Sequence, residues 1–203
     1  MNINEYLNKK KQFVFLIIKV EEKNSNYDEI IDIFSASLVK PFVYEEEGYV
    51  VMLSEESPID LEQLVNAVEE DFGVKLKVYH SNKIDAKKIE DFNVLKEIYK
   101  KHEEKIITNY VSNRVLLSTI LEKDMLDLDK VKPIILNKIY NDNKLYEIIN
   151  GMFVNNLNVC KTANYVYMHR NTINNKLITI KEETGLDIQK FQDAVMLYVL
   201  LKK

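Results

Sequence analysis

The spacing of apolar residues changes its period part-way along this chain, and that change limits the folds open to it. Up to about residue 80 a strand-like period of two alternates with a helical one; beyond about residue 105 only the helical period remains. Residues 13–20 (FVFLIIKV) are β-branched and aromatic, the make-up of a buried strand. Over 27–38, Ile30, Ile31, Phe34 and Leu38 recur at helical spacing, and Pro41 then stops the helix. Residues 42–44 and 49–53 read as two strands joined through Glu45-Glu46-Glu47-Gly48. Asp60 is placed to cap a helix whose apolar face runs through Leu61, Leu64, Val65, Val68 and Phe72, and Gly73 closes it. Residues 74–79 (VKLKVY) alternate apolar and basic, as a half-buried strand does. The order strand, helix, strand, strand, helix, strand predicts an antiparallel sheet with both helices on one face, an α+β sandwich.

Helical patterns follow. One covers 91–107, with Phe92, Leu95, Ile98 and Tyr99 on one side; two more cover 111–121 and 131–140, the latter with Pro133 in its first turn. This predicts two domains, an α+β domain over 1–107 and an all-helical domain over 108–203. In the second, residues 145–154 offer Leu145, Ile148, Ile149 and Met152 to a core. Asn158 caps a short helix over 159–166 that is expected to bury Cys160, Ala163 and Val166. Tyr167-Met168 leaves room only for a tight turn. The next helix starts at His169-Arg170, carries Ile173, Leu177 and Ile180 on its apolar face, and ends at Gly185. A last helix, about 189–201, sets Phe191, Val195, Tyr198 and Leu201 on one stripe. Two helices joined by a short turn, the second polar on its outside and the first carrying the small Ala163, predict a helix-turn-helix at about 158–185.

The polar face of that second helix is unusual in what it lacks. Arg170, Asn171, Thr172, Asn174, Asn175 and Lys176 surround a single apolar Ile173, and residues 160–177 contain no carboxylate. Arg can grip guanine O6 and N7, Asn can grip adenine N6 and N7, and a carboxylate would repel the phosphate backbone. Double-stranded DNA is therefore the expected partner, with His169, Arg170, Asn171, Thr172, Asn174, Asn175, Lys176, Lys161 and Thr162 as the candidate contacts. His169 is also expected to cap the helix. The charge is distributed to match. Residues 144–203 carry 8 basic and 5 acidic side chains, a net of +3; the remainder carries 20 and 27, a net of −7.

These residues resemble the C-terminal helix-turn-helix of PucR/CdaR-type bacterial transcription regulators. Met168-His169-Arg170-Asn171-Thr172-Ile173 matches that family's aliphatic-His-Arg-Asn-Thr start, and Glu182-Glu183-Thr184-Gly185-Leu186 matches its Glu-rich turn and Thr-Gly-Leu end. Upstream, Asn158 with Thr162-Ala163 fits its Asn-x-x-x-Thr-Ala. Asn175-Lys176 stands where the family has an aromatic–Arg pair, and Tyr165 where it has Leu. The resemblance implies a transcriptional regulator. It also implies a degenerate GGDEF-like domain ahead of the helix-turn-helix, which fits the βαββαβ order. The hairpin Glu45-Glu46-Glu47-Gly48 lacks the Gly-Gly-Asp/Glu-Glu-Phe signature, so no cyclase activity is expected. The larger N-terminal sensor common in such regulators is not expected in this chain, which starts almost directly at the first strand; a small-molecule effector and a separate sensor protein are the candidate partners.

One helix-turn-helix covers little DNA, so useful affinity points to a homodimer reading two half-sites one helical turn apart. The apolar last helix and the N-terminal domain are the candidate interfaces. An alternative keeps the same fold but docks protein in place of DNA. A further one is an enzyme or nucleotide-binding protein built on the GGDEF-like domain; with the signature lost, ligand binding without catalysis is the form of it that stays open. No Walker loop, GxGxxG, HExxH, Ser-His-Asp order or EF-hand loop is present, so neither enzyme activity nor a cofactor is expected. His169 has no partners at metal-ligand spacing, and Glu45-Glu46-Glu47 reads as a charged hairpin tip before a cation site. The single Cys160 excludes an intramolecular disulfide and fits a reducing cytoplasm. The apolar run 13–20 is broken by Lys19 and too short for a membrane span.

Overall fold

A computed structural model describes residues 2–21, 26–123 and 125–202. The chain divides into two compact units, Met1–Thr119 and Ile120–Lys203. In the first, a short helix α1 (Ile3–Leu7) precedes β1 (Gln12–Val20), α2 (Tyr27–Ala36), β2 (Phe42–Glu46), β3 (Tyr49–Ser54) and α3 (Leu61–Phe72). Then come β4 (Leu76–His80), β5 (Ile84–Asp85), α4 (Ile89–His102), a 3₁₀ turn at Glu103–Lys105, β6 (Tyr110–Val111) and α5 (Asn113–Lys123), within which the unit ends.

The sheet runs β2-β3-β1-β4-β6, with β5 pairing the start of β1. β1 is antiparallel to β3 and to β4, with Leu16 opposite Met52 on one side and His80 on the other. β2 and β3 form the expected hairpin, Phe42 facing Leu53. This is the βαββαβ order expected from the sequence, and the chain is α+β as predicted. Successive side chains of a strand point to opposite faces. Leu16, Ile18, Val50, Met52, Leu76 and Val78 meet Ile30 and Phe34 of α2 and Leu61, Val65 and Val68 of α3 in one core. Asp60 caps α3 by accepting from the N–H groups of Glu62 and Gln63 at 3.1 and 3.2 Å, and Gly73 ends it at φ 62°.

The other face of the sheet corrects the two-layer picture. Here α4 covers Phe13, Phe15 and Tyr79. Phe92 meets Phe15 edge-on at 4.8 Å between centroids, and Tyr99 stacks on Tyr79 at 5.0 Å. Each buried ring contributes roughly 1.5–3 kcal/mol. β1 is thus buried on both faces, which explains why its sequence is a continuous apolar run. A second addition is β6, a strand in a stretch whose pattern is only helical. It pairs parallel with β4, Val78 opposite Tyr110 and Tyr79 opposite Val111.

Several charged groups of this unit are paired within it. At the hairpin tip, Lys96 donates to the Glu46 carboxylate at 2.6 Å, and Lys100 lies 3.1 Å from that of Glu47. The hydrogen bond from Lys96 holds the Glu46 carboxyl below its ordinary pKa. Buried Glu103 accepts from Lys19 Nζ at 2.8 and 3.1 Å and from the Tyr49 hydroxyl. Its backbone oxygen accepts from Lys77 Nζ at 2.8 Å. No group able to hold a metal ion occurs among the described residues.

The second unit contains α6 (Met125–Ile135), α7 (Asn137–Tyr140), α8 (Asn143–Val154), α9 (Val159–Tyr165), α10 (Arg170–Thr184) and α11 (Phe191–Lys202). The position of Pro133 is a second correction. The helix begins at Met125, not near residue 131, so Pro133 falls towards its C-terminal end. Leu128, Val131 and Ile135 form the buried stripe that carries the helix back to Met125. The helix runs through Pro133 to Ile135, and after Leu136 the chain resumes as the separate α7. No helix among the described residues is long and apolar enough to cross a membrane.

Candidate nucleic-acid interface

Three helices build the site. α8 starts at Asp142, whose carboxylate accepts from the N–H groups of Lys144 and Leu145 at 3.0 and 3.2 Å. It buries Leu145, Ile148, Ile149, Gly151 and Met152. The link to α9 is tight, with Asn156 at φ 53° and Leu157 at φ 61°, a left-handed conformation that side chains with a Cβ seldom adopt. Asn158 then caps α9 by accepting from Lys161 N–H at 3.0 Å.

α9 lies against α8 because α8 has no side chain at Gly151. A Cβ there would stand 3.1 Å from Thr162 Cγ2 and 3.3 Å from Val166 Cγ1. The Thr162 hydroxyl donates to the Gly151 carbonyl at 3.2 Å. This geometry rotates α9 relative to the expectation. Thr162 and Ala163 form the buried face, and Cys160 is exposed instead of packed. It also removes Thr162 from the set of side chains able to reach DNA, because that side chain is fully buried.

The turn between α9 and α10 is closed by two backbone bonds. Met168 N–H donates to Ala163 O at 2.9 Å and Tyr167 N–H to Asn164 O at 3.3 Å. This is a Schellman arrangement with Tyr167 in the position usually given to glycine, at φ 54°. His169 then caps α10, its Nδ1 accepting from Asn171 N–H at 3.2 Å. Ile173, Leu177, Ile180 and Thr184 face inward, and Gly185 ends the helix at φ 73°. These bounds agree with the sequence reading of this helix.

With that inner face fixed, the candidate residues fall into place. Lys161, His169, Arg170, Asn171, Thr172 and Asn175 are exposed, while Asn174 and Lys176 are partly covered. Arg170 and Lys161 make no ion pair among the described residues, so their charge is available. Lys176 is partly offset by Asp142, 3.9 Å away. At 100° per residue, Asn171, Asn175 and Ile178 point away from the buried stripe together. Ile178 and Tyr167 were not singled out by the sequence pattern, yet both are bare, at 57% and 96% exposure. For Ile178 the signal is its mismatch, an aliphatic residue on a polar face; for Tyr167 it is the backbone, at φ 54°.

α11 settles a different question. Its inner face is Ala194, Leu197 and Leu200, with Asp193 accepting from Asp187 N–H at 2.9 Å. The stripe Phe191, Val195 and Tyr198 is left in solvent. With Phe153 and Leu157 it lines a cavity of about 410 Å³.

Residues 145–202 match the family described as the PucR C-terminal helix-turn-helix domain. The resemblance drawn from the sequence is therefore shown for this segment. The chain is 34% identical to the carbohydrate diacid regulator of Escherichia coli (strain K12) over 67 residues, 33% of this chain and 17% of that protein. It is 23% identical to the uncharacterized protein YxkF of Bacillus subtilis (strain 168) over 207 residues, 96% of this chain and 69% of the relative. A solved structure similar to the chain is the regulator of polyketide synthase expression from Bifidobacterium adolescentis, at 14% identity and a TM-score of 0.41, covering 98% of this chain and 82% of that one. The helix-turn-helix match and the diacid-regulator relative together support a transcriptional regulator.

Proposed function

We propose that the protein is a sequence-specific DNA-binding transcriptional regulator that acts as a dimer in the cytoplasm. The observation that carries this is the surface of α9, the turn and α10, where Lys161, Arg170, Asn171 and Asn175 are exposed within a run free of carboxylates. In this reading α10 enters the major groove. Arg170, Asn171, Asn174 and Asn175 supply base-edge donors and acceptors, and Lys161 and Lys176 meet phosphates. Thr172 and His169 sit at the helix start, where phosphate is also favoured.

Dimerisation follows from the energetics of a small contact area, and the uncovered Phe191, Val195 and Tyr198 of α11 are where we place it. The sequence pattern puts the boundary at 107/108; β6, paired with β4, carries the first unit past it, so we assign effector reception to Met1–Thr119 and DNA binding to Ile120–Lys203. The first is a GGDEF-like domain without catalytic activity, which receives a small-molecule effector or a sensor protein.

Fluorescence anisotropy with duplex DNA from upstream of the protein's own gene, at several salt concentrations and against scrambled competitor, tests the reading. Arg170→Ala is expected to cost about 1–3 kcal/mol and to relax sequence preference. Lys161→Ala is expected to weaken all sequences alike and to reduce the slope of log K against log salt by about 0.9. Binding no stronger than to competitor, by a folded dimer, would leave the protein-docking alternative.

A further inference from the structure

The turn between α9 and α10 holds a residue that costs the free protein twice. Tyr167 is 96% exposed, so its ring gains nothing from burial. It also sits at φ 54°, where any residue with a Cβ is strained and glycine is not. Its side chain has no hydrogen bond or ring contact among the described residues. Strain of this kind gathers at functional sites. The backbone bonds from Tyr167 and Met168 to Asn164 and Ala163 hold the residue firmly, three positions before Arg170.

We infer that Tyr167 is a DNA-contact residue, its phenolic hydroxyl donating to a phosphate oxygen when α10 docks. The inference rests on the DNA-binding reading above and extends it to a residue outside the polar face of α10. A neutral hydroxyl suits this place. It donates to phosphate without base preference, and an aromatic side chain on a fixed backbone loses little rotational freedom on binding. The surrounding run from 160 to 177 has no carboxylate to compete for the hydroxyl or to repel the phosphate. A protein partner is the other class able to cover this ring, but it would bury the ring and need no hydroxyl.

Three proteins compared by anisotropy and thermal melting decide the matter: wild type, Tyr167→Gly and Tyr167→Phe. Glycine relieves the left-handed strain, so Tyr167→Gly is expected to melt about 2–4 °C higher while binding DNA about five- to tenfold more weakly. Tyr167→Phe keeps the melting temperature and loses affinity to the same extent. Both keep the wild-type salt slope, because a neutral donor releases no counterion. Wild-type affinity in either variant overturns the inference, as does a changed slope. If wild type shows no specific DNA binding, the DNA reading itself fails, and the inference with it.

Discussion

Gly151→Leu is expected to destabilise the helical unit by about 3 kcal/mol, the upper part of the range for overpacking. The Cβ alone would stand 3.1 Å from Thr162 Cγ2, 3.3 Å from Val166 Cγ1 and 3.4 Å from Tyr165 Cδ1, all on α9 or at its end. Three further carbons have nowhere to go without moving that helix. Moving it breaks the Thr162 hydroxyl bond to the Gly151 carbonyl and leaves a buried donor unpaired. Gly151→Ala is the control. Its contact is tight, but alanine gains about 1 kcal/mol in helix propensity, so the net change is expected to be small. Urea unfolding followed by circular dichroism measures both. A leucine variant with the wild-type midpoint would show that α8 and α9 do not depend on this close approach.

Acidification from pH 7 to pH 4 is expected to remove up to about 3 kcal/mol from the sheet unit through one histidine. His80 ends β4 with its Nδ1 3.1 Å from the Tyr110 hydroxyl, and burial lowers its pKa from 6.5 to about 4. The unfolded chain therefore binds a proton near pH 6.5, while the folded chain resists it until about pH 4. The stabilising term is present above pH 6.5 and is lost as pH falls towards 4, at about 1.4 kcal/mol per unit. His80→Gln removes it. The stability difference between wild type and His80→Gln should therefore shrink as pH falls through this window. A difference independent of pH would contradict the lowered pKa of this partly covered ring.

The βαββαβ order could be read from the sequence because each element repeats its apolar period several times. What escaped the reading was set by partners distant in the chain. Tyr110 and Val111 are too few to show any period, and their strand exists only because β4 offers it a parallel edge. The helix over α4 was visible, but its place on the second face depended on noticing that Phe13, Phe15 and Ile17 need cover as much as Leu16 and Ile18 do. In the site, the limits of α10 were readable from His169 and Gly185. The facing of α9 was not, because Gly151 looks like a weak point in a helix and not like the contact that turns Thr162 inward and Cys160 out. Tyr167 was hidden for a related reason: only the backbone reveals that it occupies a glycine's conformation.

The group around Glu103 bears on how β1 finds its alignment during folding. A one-residue slip normally exposes the apolar set of a strand, but β1 is apolar on both sides and hides such an error. Lys19 faces Lys77 directly across the β1–β4 ladder, an arrangement that repulsion alone would reject. It is tolerated because Glu103 receives one lysine on its carboxylate and the other on its backbone oxygen. In a shifted pairing the two ammonium groups would no longer converge on that acceptor. A slipped β1 would thus strand charged groups even where its apolar side chains still found cover.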